Sequence, residues 1–176
     1  MKWTKKHRHT WMDEPPEENG IFLEEHRTPP KPAHYYQQEK GSCRFCGEHI
    51  MMYTDEGAEI NKRKRWHPEC VDRYNIMYRP AQARKLVWER DHGECAKCRI
   101  LLERSSRTPK DRWHVDHIRP LWEQKGKRFS DLDYSYWELE SLQTLCAACH
   151  GEKTAAEATK RAKLKKEKKK NDAKDT

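Results

Sequence analysis

Residues 113–121 read WHVDHIRPL, residues 141–158 read SLQTLCAACHGEKTAAEA, and a Cys-x2-Cys pair lies upstream in RDHGECAKC at 90–98. Residues 112–118 read as a strand ending in the pair Asp116-His117, and 142–145 as a second short strand running into Cys146-x2-Cys149. From Ala147 onward Ala, Glu and Lys dominate, which predicts a basic helix reaching about Lys169. His150 follows directly on the second cysteine pair and therefore falls in the first turn of that helix. Strand, strand and helix in this order predict a small α+β unit of the ββα-metal kind.

Cysteine spacing tells what holds such a unit together. The seven cysteines include three Cys-x2-Cys pairs, and an odd number does not suit a fully paired disulfide framework. Two intervening residues let both thiolates of a tight turn face one ion, and Zn2+ accepts four soft ligands in a tetrahedron. Cys95, Cys98, Cys146 and Cys149 make one complete set. The remaining three, Cys43, Cys46 and Cys70, are completed by His67 in the His-x2-Cys of RWHPEC. Two structural zinc ions are expected. Their binding contributes on the order of 10 kcal/mol to folding. That matters here, because only 34% of the residues are apolar against 38% charged, too few for a large aliphatic core. Abundant reduced thiols fit an intracellular compartment, cytoplasmic or nuclear. No run approaches the roughly 18 apolar residues of a membrane span, and the basic N-terminus is followed by no apolar segment of the secretory type.

The organisation follows from the same marks. Residues 1–40 carry five prolines and few periodic apolar positions, and read as a poorly ordered arm. Its apolar residues Trp3, Trp11, Ile21, Phe22 and Leu23 can dock on the body of the protein, the favoured reading, or on a protein partner. Residues 41–77 form a zinc knuckle module, with a short hairpin and a helix start. Residues 78–165 form the second module, entered through a helix at 80–91 with Pro80 at its start and Gly93 as its stop. Within it, 123–138 reads as an inserted polar loop with aromatics. A basic tail, 166–176, closes the chain. The net charge is +8, and 160–176 holds nine Lys or Arg against three acids, a distribution suited to a polyanion such as DNA.

The set RDHGECAKC, WHVDHIRPL and SLQTLCAACHGEKTAAEA, spanning about residues 84–160, resembles the HNH endonucleases, specifically their cysteine-containing branch. The resemblance implies a treble-clef-like, zinc-stapled ββα-metal nuclease domain. It implies Asp116 and His150 as ligands of one catalytic divalent ion, Mg2+ or Mn2+, and His117 as general base. The four cysteines at 95, 98, 146 and 149 then hold structural zinc. The family's Asn in N-L-Q is here Ser141, expected to brace the loop between the strands through a shorter version of the same contacts. The implied reaction is hydrolysis of a DNA phosphodiester by a one-metal mechanism. The rival reading is a zinc-stapled DNA-binding or assembly protein in which Ser141 marks lost catalysis.

Neighbouring residues are weighed in the same way. Arg119, Lys153 and Arg161 are candidate phosphate contacts. His114, two residues before Asp116, shares its face. Trp113, Trp122 and Trp137 are read as core cover rather than base-stacking platforms, and His49 and His92 as solvent-facing.

Overall fold

A computed structural model describes residues 20–23, 27–37, 39–104 and 112–173. Trp3, Trp11 and the linker at 105–111 lie outside the described residues. The described chain is a small α+β protein whose contacts divide it into two units: residues 1–83 with 121–139, and 84–120 with 140–176. The segment 123–138, read from sequence as an inserted loop of the second module, lies within 121–139 and thus belongs to the first unit. Among the described residues no helix is long and apolar enough to cross a membrane.

The first unit contains the hairpin β1 (Met51–Thr54) and β2 (Gly57–Ile60), then α1 (Pro68–Tyr78). Pro68 sits in the first turn of α1, where a missing N–H costs nothing. Cys43, Cys46, His67 and Cys70 bring one ligand atom each within 4.8 Å of the others. His67 Nε2 lies 3.3 Å from the carbonyl oxygen of His49. Donating a proton there leaves Nδ1 bare toward the sulfurs, 3.4 Å from Cys46 Sγ, the tautomer a metal ligand requires.

Around this cluster is an aromatic core that includes Phe22, Phe45, Ile50, Met77, Tyr78, Leu132, Tyr136 and Trp137. Three of these come from 121–139, which folds as single 3-10 turns. Its polar composition hid that role, since isolated turns impose no helical or strand period on their buried residues. Phe22, an arm residue, is 1% exposed and packs edge-on against Trp137 at 5.5 Å. Trp137 Nε1 donates to Arg27 O at 2.8 Å, and the Tyr78 and Tyr134 hydroxyls both donate to Pro30 O. The described part of the arm is therefore docked on the first unit, while Ile21 and Leu23 remain exposed.

The helix α2 (Pro80–Asp91), which belongs to the second unit from Arg84 onward, leads to a cysteine knuckle there. The antiparallel pair β3 (Trp113–His117) and β4 (Leu142–Cys146) follows, and α3 (Ala147–Asp172) starts directly from β4. Residues 166–172, expected to be a tail, continue α3. Gly93 ends α2 with φ +71°, and an added Cβ there would lie 2.6 Å from the Trp88 ring, so only glycine fits.

The outer edge of β4 is closed by the end of α2. Arg90 Nη2 donates to Leu142 O at 2.7 Å, while Asp91 Oδ2 accepts from the Thr144 N–H at 2.9 Å. Ala96 N–H takes the Thr144 carbonyl at 2.8 Å. These bonds satisfy backbone groups that an open strand edge leaves bare. Burial alone would raise the Asp91 carboxyl, but the bonds from Arg90 and Thr144 outweigh it and hold the group below the usual carboxylate range. Trp113, 5% exposed, packs on Trp88 at 4.5 Å and under the Arg84 guanidinium at 3.4 Å. It is core cover, as read from sequence.

Cys95, Cys98, Cys146 and Cys149 again offer four ligand atoms within 4.8 Å of one another, and none of the seven cysteines is in a disulfide. Cys146 ends β4, and its Sγ accepts from Cys149 N–H at 3.4 Å as the N-cap of α3. The Cys149 thiol is pushed up to about 12, first by its bond to the Cys146 sulfur, then by burial and the other two sulfurs. Crowded thiols ionise together only around a cation, so both clusters, four thiols in one and three thiols with an imidazole in the other, have the donor chemistry of zinc sites.

Two outcomes are expected. Elemental analysis of the purified protein gives two zinc ions per chain, falling to one in Cys98→Ser and to one in Cys46→Ser. Asp91→Ala leaves the Thr144 N–H without its acceptor and lowers the urea-unfolding free energy of the zinc-loaded protein by about 1–3 kcal/mol.

Candidate functional site

The strand pair presents alternate residues to opposite faces. His114 and Asp116 on β3 stand opposite Leu145 and Gln143 on β4, and this face meets α3. Trp113, Val115 and His117 lie on the other face. The knuckle cluster fixes where α3 begins, and His150 in its first turn is thereby brought over the sheet.

His150 Nε2 lies 3.9 Å from Asp116 Oδ1. Two donors at about 2.0–2.2 Å from one ion are separated by roughly 3 to 4.4 Å depending on their angle. A separation of 3.9 Å lies within the range that two ligands of one divalent cation span. His114 stacks on His150 with ring centroids 4.2 Å apart and planes within 12°, which fixes the second imidazole in orientation. The proton affinity of His114 is held below the ordinary imidazole range, first by burial, then by the charges of His150 and Arg84.

His117 follows Asp116 at the end of β3. Burial lowers its pKa to about 4, with Asp116 opposing and Lys153 adding to the shift. Its imidazole is neutral, the form that accepts a proton, well below neutral pH.

Lys153, one turn beyond His150, is engaged with this strand. Its Nζ lies 2.8 Å from Asp116 Oδ2, donates to His117 O at 2.8 Å and contacts Glu157 on the next turn of α3. An ammonium has three N–H donors, and three acceptors surround this one. Burial works against its charge, but the bonds to Asp116 and Glu157 outweigh it and raise the Lys153 pKa. Gln143, which the sequence reading did not single out, donates from Nε2 to the same Asp116 Oδ2 at 3.2 Å. Its only sequence signal was its place in S-L-Q, one residue after Leu142.

The other expected residues fall as follows. Ser141 braces the strand ends through its main chain: its carbonyl accepts from Ile118 N–H at 2.8 Å, a bond any residue type supplies. Arg119 is exposed just after β3, and Arg161 is exposed on α3. Residues 158–171 of α3 are exposed throughout, and they carry the exposed lysines at 163, 165, 166, 168, 169 and 170. Trp122 and Trp137 belong to the first unit.

Comparison with known proteins gives partial matches. The chain is 42% identical over 53 residues to a Mus musculus protein, "DNA annealing helicase and endonuclease ZRANB3", a stretch covering 30% of this chain and 4% of that protein. The Homo sapiens protein of the same description is 25% identical over 133 residues, 56% of this chain and 12% of that protein. The Bos taurus protein matches at the same identity over the same length. The chain thus spans only a small part of the length of these relatives. No protein-family model matches the chain. No solved structure matches it.

Proposed function

We propose that this protein is a metal-dependent DNA endonuclease of the HNH type, hydrolysing phosphodiester bonds at the junction of β3, β4 and α3. The observation that carries the reading is the 3.9 Å approach of Asp116 Oδ1 and His150 Nε2, with the half-buried His117 next along β3. Partial similarity to proteins described as DNA helicase and endonuclease supports DNA as the substrate.

Asp116 and His150 would hold a divalent ion, Mg2+ or Mn2+, which would supply Lewis-acid stabilisation of charge on the phosphate oxygens. His117 takes a proton from water as the water oxygen bonds to phosphorus. The bond to the 3′ oxygen then breaks, leaving a 5′ phosphate and, after protonation, a 3′ hydroxyl. The Cys95, Cys98, Cys146 and Cys149 cluster holds the end of β4 to the start of α3. The exposed lysines of α3 hold the polyanion without reading its sequence.

Plasmid nicking with Mg2+ or Mn2+ tests the reading. The parent protein cuts, and His117→Ala loses about 100-fold or more in rate. Asp116→Ala and His150→Ala lose rate and also need more metal. A zinc-loaded parent that cuts no DNA with either ion overturns the nuclease reading in favour of a binding or assembly role. Removal of residues 163–176 takes away the seven lysines from Lys163 to Lys174. It flattens the dependence of log K on log salt by up to about 6, roughly 0.9 per lost phosphate contact. An unchanged slope would mean that α3 lies off the DNA.

A further inference from the structure

The two oxygens of the Asp116 carboxylate have different surroundings. Oδ1 faces His150 Nε2 at 3.9 Å. Oδ2 receives Gln143 Nε2 at 3.2 Å and Lys153 Nζ at 2.8 Å. Asp116 and Gln143 are direct cross-strand partners in the β3–β4 register, so the amide reaches the carboxylate without leaving the sheet face. We propose that Gln143 and Lys153 are positioning residues: by holding Oδ2 they aim Oδ1 at the cation that Asp116 shares with His150. The inference rests on the metal-dependent reading of this site and deepens it.

The physical argument is rotational. A carboxylate whose end torsion is free presents either oxygen in a broad range of directions. Two donors on one oxygen leave the other pointing one way before the ion arrives, so no ordering remains to be done on binding. Outer-shell donors of this kind typically change metal affinity by about 10- to 100-fold when removed. Lys153 adds a second constraint, because its bond to the His117 carbonyl ties the end of β3 to α3. Glu157 beside it balances the ammonium charge, so the cation meets the carboxylate of Asp116 rather than an excess positive field. This assignment gives Lys153 a different task from the phosphate contact expected of a basic residue after the Cys-His pair.

The experiment is Mn2+ titration of the full zinc-loaded chain without DNA, by calorimetry and Mn2+ electron paramagnetic resonance. Gln143→Leu, an uncharged change, weakens Mn2+ binding by about 10- to 100-fold. The pair Lys153→Met with Glu157→Gln removes one charge of each sign and weakens binding in the same direction. Both variants keep two zinc ions. At saturating Mn2+ they recover most of the parent nicking rate, as expected of residues acting through the ion.

Parent-like Mn2+ affinity in both variants overturns the inference while leaving the nuclease reading intact. Unchanged Mn2+ affinity together with a salt slope reduced by about 1 in the charge-balanced pair assigns Lys153 to phosphate instead. A parent that binds no Mn2+ beyond its zinc overturns the metal-dependent reading and this inference with it. Where Gln143→Leu loses zinc, the charge-balanced pair alone decides.

Discussion

Gathering Cys95, Cys98, Cys146 and Cys149 within 4.8 Å is the constraint on which the second unit depends. Cys146 is at once the last residue of β4 and the cap of α3, so the clamp fixes strand end and helix start in one place. A two-stranded sheet is marginal by itself, and a helix with polar residues all round has little apolar face to dock. A tetrathiolate site supplies the missing cohesion locally. It also leaves the sheet face above it free for polar groups that a larger apolar core would have displaced.

What stands on that face is a connected polar array. His114, Asp116 and Gln143 come from the strands, and His150, Lys153 and Glu157 come from α3 at helical spacing. Apart from Lys153–Glu157 within α3, each contact joins strand to helix or strand to strand, so the array is rigid to the extent that the clamp is. The opposite face and the free edge of β4 are closed by other means: Trp113 under Arg84, and the Arg90–Asp91 fork on the Leu142 and Thr144 backbone. The Trp113 packing and the Asp116–His150 pair thus lie on opposite faces of a thin sheet.

The first unit solves the same shortage of apolar residues with a different recipe. Its Cys43, Cys46, His67 and Cys70 cluster lies among aromatic rings drawn from three separated parts of the chain, represented by Phe22, Tyr78 and Trp137. Tyr and Trp bring large apolar area with one polar atom each, and those atoms find the carbonyls of Arg27 and Pro30. Segments that look like arm and loop thereby acquire buried positions.

The residues that carry both ligand sets, the helix at 80–91, the two strands and the acid and imidazole of the site were legible in the sequence. Zinc spacing, Pro and Gly punctuation and strand length are local properties. Cys-x2-Cys states its geometry within four residues, and Asp116-His117 states alternation within two. The assignment of 121–139 to the first unit was not legible, because single 3-10 turns leave no period and their burial depends on Phe22, about a hundred residues away. Gln143 and the engagement of Lys153 were equally invisible. A glutamine on a strand and a lysine on a basic helix look like surface residues until β-pairing places one, and the helix turn places the other, against the same carboxylate oxygen. Sequence by itself determined which groups could bind metal. Only the tertiary structure decided which way their atoms point, because orientation comes from partners that the chain brings together across strands and between elements.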